Sequence, residues 1–142
     1  MNTHPLHVRV ESVNDKLRFE AAADDHPLIV LDYIPPYGDD GGYTPLELIL
    51  ISLATCLAST VRIVLDNRFG KKVRALRAEA DGLRREQHPT SFKQITLRLF
   101  VAVDLTADRL QAIVREACER VCPVYDLLKG NTDIVIETIK VE

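Results

Sequence analysis

Thr44-Pro45-Leu46-Glu47-Leu48-Ile49-Leu50-Ile51-Ser52-Leu53-Ala54-Thr55-Cys56-Leu57-Ala58-Ser59-Thr60-Val61-Arg62-Ile63-Val64-Leu65 opens as a helix and stays apolar for most of its length. Thr44 is a good N-cap, Pro45 suits the first helical position, and Glu47 completes a Thr-x-x-Glu capping box. The helix is expected to reach about Arg68 and to stop at Gly70. Its longest uncharged part, Leu48 to Val61, falls short of the roughly 18 to 20 apolar residues that a membrane span needs. A helix apolar on nearly every side must therefore be buried in protein. A chain of 142 residues can hardly wrap it alone. The pattern predicts a homodimer whose two long helices pack together, with no membrane as partner.

Strands are expected on either side of this helix. Leu6 to Glu11 alternates apolar and polar residues, the period of a half-buried strand. Leu17, Phe19 and Ala21 continue the alternation after the turn-like Asn14-Asp15, which predicts a hairpin. A third strand is expected over Leu28 to Tyr33, followed by a loop through Pro35-Pro36-Tyr37-Gly38-Asp39-Asp40-Gly41-Gly42. Beyond the helix, Val73 to Arg85 and Phe92 to Val103 read as strands, the second with Ile95, Leu97, Leu99, Val101 and Val103 on one face. A helix opened by Asp104 or Thr106 carries the stripe Leu110, Ile113, Val114, Ala117 and Val121. A short helix over Pro123 to Lys129 and a last strand over Ile134 to Val141 complete an α+β chain, read as one domain over 1–142.

Composition narrows the function classes. A net charge of −3 and a pI near 5.8 provide no basic field for nucleic acid. Met1-Asn2-Thr3-His4-Pro5 has neither the basic segment nor the apolar core of a leader, and three cysteines are an odd number for a secreted disulfide framework. The expected location is the cytosol, where a disulfide is transient and catalytic. Walker, Ser/His/Asp and metal-spaced His motifs are missing, so no cofactor or metal is expected.

The cysteines are then the only chemistry with a specific address. Cys56 lies in the wall of the long helix and reads either as a small core residue or as a nucleophilic thiolate. Cys122 precedes Pro123, where a helix N-terminus lowers a thiol's pKa. Cys118 continues the apolar stripe and reads as core. Glu47 reads first as the reciprocal half of the capping box. Nine residues place it on the face opposite Cys56, about 13 Å along the axis.

The run Gly42 to Leu50 followed by Ala54-Thr55-Cys56, the segment His88 to Ile95, and Cys122-Pro123-Val124 together resemble the OsmC/Ohr family, in order and spacing from about Leu6 to Val141. The resemblance implies an intertwined homodimer with curved antiparallel sheets around two long central helices. It also implies a thiol peroxidase for organic hydroperoxides, reset by an external dithiol, with Cys56 peroxidatic and Cys122 resolving. Characterised peroxidases of the family carry a glutamate directly after the helix-opening proline; here that position is Leu46, and the carboxylate comes one residue later at Glu47. They also hold the thiolate with an N-terminal arginine, for which Arg18 is the nearest match by order and Arg9 the second. Arg18 oriented by Glu47 is the expected cation at Cys56. The alternative is a non-catalytic dimer of the OsmC-like branch that binds a small molecule and keeps its cysteines as core and cap residues.

Overall fold

A computed structural model describes residues 5–142; residues 1–4, on which most of the leader reading rests, lie outside the described residues. The element order is β1 (Val8–Ser12), β2 (Phe19–Ala23), β3 (Ile29–Leu31), α1 (Pro45–Phe69), β4 (Ala75–Arg84), β5 (Phe92–Ala102), α2 (Ala107–Arg120), α3 (Pro123–Leu128) and β6 (Asp133–Lys140). The α+β class is as the alternation and capping signals require. The chain forms two compact units, Met1–Ile49 and Leu50–Glu142, with the boundary inside α1.

In the first unit β1, β2 and β3 form an antiparallel sheet, with Val10 opposite Ala21 and Ala21 opposite Ile29. β1 is not the half-buried strand its alternation suggests. Val8 and Val10 share a face as expected, yet they are 63% and 58% exposed, because no described residue covers that face. The loop after β3 returns to the sheet: Tyr43 N–H donates to the Val30 carbonyl at 3.2 Å, and Asp32 N–H donates to the Tyr43 carbonyl at 3.1 Å.

In the second unit β5 is the central strand, antiparallel to β4 and parallel to β6. The sheet is thus mixed, a departure from the wholly antiparallel expectation. The chain enters β6 from α3 rather than from a hairpin, and this crossover permits the parallel pairing. The core is as the periodicity requires: Ile95, Leu97, Leu99, Val101 and Val103 are buried, as are Leu110, Ile113, Val114, Ala117 and Cys118 of α2. Val121 departs from the stripe and is 44% exposed, because α2 ends at Arg120 and Val121 is its C-cap.

α1 buries one stripe, Leu53, Leu57, Thr60, Val61, Val64 and Leu65. Its other side is open, with Ile51 45% and Ile63 57% exposed, so burial on every side is not achieved within one chain. Its most apolar window has a mean hydropathy of 2.2, which by length and composition alone would suit a bilayer, and 33% of that window is buried in the chain. Gly70 ends the helix at φ 59°, a left-handed conformation that glycine adopts without strain.

Candidate active site

α1 carries Cys56 half-buried in its middle. α2 ends in a turn in which the Val121 and Cys122 N–H groups both donate to the Ala117 carbonyl, at 3.0 and 3.2 Å. Pro123 then starts α3, leaving Cys122 at its N-cap, extended at φ −71° and ψ 108°. Cys122 is 2% exposed, and Cys56 lies close enough to act on its thiol. The fold therefore brings together two thiols that sequence alone left far apart.

The electrostatics of Cys122 differ from the simple helix-terminus expectation. Burial pushes the thiol up to about 11 from its ordinary 9.0, and the nearby Cys56 adds to the rise. The Tyr125 and Val124 N–H groups face the sulfur and pull the other way, without the geometry of a full cap hydrogen bond. Desolvation outweighs the helix end, because a six-residue helix offers little dipole to a buried sulfur. Cys118 is fully buried one helical turn before Cys122, and burial pushes it up to about 12, with smaller contributions from Cys122, Glu119 and Cys56. All three cysteines are free, and among the described residues no group of His, Cys, Asp or Glu is arranged to hold a metal ion.

The N-terminal unit holds the other expected site residues. Glu47 is engaged by its own cap: the Thr44 N–H and hydroxyl each donate to Oε1 at 2.9 Å, and Glu47 N–H donates back to Thr44 Oγ1 at 3.3 Å. The Thr44 N–H, then its hydroxyl, hold the Glu47 carboxyl below its ordinary value. Among the described residues the Glu47 carboxylate is held by this reciprocal box through Oε1, and no bond to Arg18 accompanies it. Arg9 is likewise committed, donating from Nη1 to the Asp24 carbonyl at 3.0 Å.

Arg18 sits half-buried directly before β2, its backbone N–H donating to Asn14 Oδ1 at 3.2 Å. Among the described residues its guanidinium has no hydrogen-bond or ion-pair partner. The nearby carboxylate is Asp32, which sequence reading passed over. Asp32 is 1% exposed and accepts from the Tyr33 N–H at 2.8 Å on Oδ1, and from the Asp39 and Gly41 N–H groups at 3.3 and 3.1 Å on Oδ2. Burial opposes its charge, but these three donors and the charge of Arg18 hold its carboxyl below the ordinary value. A sequence signal existed: one acid ends the apolar run Leu28-Ile29-Val30-Leu31 just before a loop rich in proline and glycine.

An α+β chain of this element order, with one long apolar helix between two three-stranded sheets in sequence, has the architecture of the OsmC-like proteins. The sequence profile of the OsmC-like protein family matches residues 38–137, and the chain belongs to that family. An uncharacterised protein of Mycobacterium tuberculosis is 30% identical over 105 residues, 72% of this chain and 76% of that protein. Among solved structures, an OsmC-like protein of Mycoplasma pneumoniae superposes with a TM-score of 0.85 at 18% identity, covering 99% of this chain and 100% of that one. A Legionella pneumophila protein, described as an organic hydroperoxide resistance protein and predicted redox protein, superposes with a TM-score of 0.75 at 18% identity, covering 98% and 99%.

Proposed function

We propose that the chain is a cytosolic, homodimeric thiol peroxidase that reduces organic hydroperoxides through Cys56 and Cys122. The observation that carries this reading is the nearness of the two thiols, close enough for Cys56 to act on the titration of Cys122, one half-exposed and one buried. A peroxide can approach Cys56 from solvent, while Cys122 waits beside it out of reach of external oxidants.

The steps balance as follows. The Cys56 thiolate attacks the distal peroxide oxygen, the O–O bond breaks, and the alkoxide leaves with a proton as the alcohol. Cys56 becomes a sulfenic acid. Cys122 sulfur then attacks the Cys56 sulfur; hydroxide departs and takes up the thiol proton as water, leaving a disulfide. An external dithiol reduces that disulfide and is itself oxidised.

One further feature supports the reading. The uncovered side of α1 forms, with Leu76 and Ala78 of β4, a groove of about 460 Å³ lined by Ala54, Thr55, Ala58, Ser59, Arg62 and Ile63. Its small residues suit close packing of a second copy of the helix. A consumption assay with cumene hydroperoxide and a dithiol tests the activity: turnover that vanishes in Cys56→Ser supports it. Equal rates in wild type and Cys56→Ser would favour the non-catalytic, small-molecule-binding dimer.

A further inference from the structure

α3 carries Cys122 at its N-cap, yet none of the residues Pro123–Leu128 is buried, and Leu127 is 79% exposed. A helix without a packed face opens at little cost, so what holds it must lie at its ends. At the first end the Ala117 carbonyl takes the Val121 and Cys122 N–H groups. At the other, the chain turns into β6 with the Asn131 and Thr132 N–H groups both donating to the Leu128 carbonyl, at 3.1 and 3.0 Å.

One long side chain ties that second end to the sheet. Arg85 stands half-buried just past β4. Its Nη2 donates to the Asn131 carbonyl at 2.6 Å, while its Nη1 donates to the Phe92 carbonyl at 2.6 Å and to Ser91 Oγ at 3.0 Å. The Phe92 carbonyl also accepts from the buried Thr132 hydroxyl at 3.0 Å. A guanidinium fork can bridge two elements in this way, and bonds from a charged donor are stronger than neutral ones. The neighbouring Arg84 makes a contrast. It donates from Nε to the Thr90 carbonyl at 2.7 Å and from Nη2 to the Thr90 hydroxyl, so its bonds stay within the β4–β5 hairpin.

We propose that Arg85 is a positioning residue for disulfide formation, holding Cys122 within reach of oxidised Cys56 by anchoring the far end of α3. The inference rests on the two-thiol reading above, and every residue it uses lies in the Leu50–Glu142 unit. In that step the Cys122 sulfur attacks the sulfenic sulfur of Cys56, and hydroxide leaves and takes up the thiol proton as water. A bond of about 2 Å replaces a non-bonded contact, so the Cys122 sulfur travels on the order of 1.5 Å. A six-residue helix is about 9 Å long, and a tilt of about 10° about its anchored end moves its N-cap by that distance. With the anchor in place the motion is a short swing. Without it, α3 has no packed face to bring it back, and the effective concentration of Cys122 at Cys56 falls.

The test follows one turnover of the reduced full-length chain with cumene hydroperoxide, quenched at intervals. Dimedone in the quench counts Cys56 sulfenic acid, and non-reducing peptide mass analysis counts the Cys56–Cys122 disulfide. Arg85→Ala should form the sulfenic acid within about twofold of the wild-type rate and close the disulfide at least about tenfold more slowly. Arg84→Ala removes hairpin bonds without touching the end of α3 and should match wild type in both steps. A wild-type disulfide rate in Arg85→Ala, equal slowing of both steps in it, or the same slowing in Arg84→Ala overturns the proposal. If wild type forms no sulfenic acid, the peroxidase reading fails, and equilibration of the cysteine pair with reduced and oxidised glutathione decides the positioning alone. An effective concentration lower by about tenfold in Arg85→Ala but not in Arg84→Ala then supports it, and any other pattern rejects it. Arg85→Gln, too short to bridge both elements, stands in with the same expectations should Arg85→Ala fail to fold.

Discussion

The Cys122 thiol lies close enough to Cys56 for the two to influence each other's protons, so the N-cap of α3 comes beside the middle of α1. Neither residue reaches the other by local structure. The contact depends on α2 delivering Cys122 to α1 at the end of its last turn, where the Ala117 carbonyl holds both Val121 and Cys122. It also sets the division of labour, since only Cys56 keeps some exposure.

Substitution of each cysteine should give three different outcomes. Cys56→Ser should abolish turnover. Cys122→Ser should still react once with hydroperoxide but accumulate a sulfenic acid that dimedone labels. Cys118→Ala should keep at least about half of wild-type turnover and lose about 1–2 kcal/mol of stability from the small cavity. Steady-state rates, dimedone labelling and denaturant melts separate these. Loss of activity in Cys118→Ala equal to that in Cys56→Ser contradicts the assignment.

The buried thiols also make stability depend on pH. Cys118 at about 12 and Cys122 at about 11 both lie above the ordinary 9.0, so the folded chain keeps protons that the unfolded chain releases. Their stabilising effect is whole below about pH 9 and is lost as pH rises through 9 toward 12. The Tm of the reduced protein should fall from pH 9 to 11, with a shallower slope in Cys118→Ala. A slope unchanged in that variant counts against the burial argument.

At the start of α1 the capping box makes a separate forecast. Thr44→Ala should cost about 1 kcal/mol by removing a cap oxygen. Glu47→Gln keeps an acceptor for the Thr44 donors, so it should leave the alkylation profile of Cys56 unchanged. Because the Glu47 carboxyl is held below its ordinary 4.5, the charged cap contributes above that pH and is lost as pH falls through the folded value. A Cys56 profile shifted by Glu47→Gln would return Glu47 to the site.

The open side of α1 predicts association. Sedimentation at micromolar concentration should give twice the 16.0 kDa chain mass. Ile63→Glu places a charge on that side, where Ile63 is 57% exposed, and should shift the protein toward monomer. A wild-type monomer would defeat the dimer.

What the sequence made legible follows its periodicities. The capping box, the Gly70 stop, the inward face of β5 and the α2 stripe from Leu110 to Ala117 were local patterns, and each has the place its pattern implies, while Val121 falls just past the helix end. Parallel pairing of β6 was not legible, because strand direction is set by the crossover through α2 and α3 and leaves no mark within Asp133–Lys140. The exposure of Val8 and Val10 was hidden too: alternation gives which residues share a face, not what covers it. At the site, the two cysteines could be named from sequence, but the sign of the shift at Cys122 could not, since burial overrides the helix end. Asp32 was missed because its partners are backbone N–H groups of a loop, which carry no side-chain signature.

The most direct measurement of the central claim is peptide mapping under non-reducing conditions, after one equivalent of cumene hydroperoxide has been added to the reduced protein. The account predicts loss of two free thiols per chain and one linked peptide pair joining Cys56 to Cys122, with Cys118 still free and full reversal by dithiothreitol. Three thiols left unreacted, or oxidation that stops at Cys56 with Cys122 free, would contradict it.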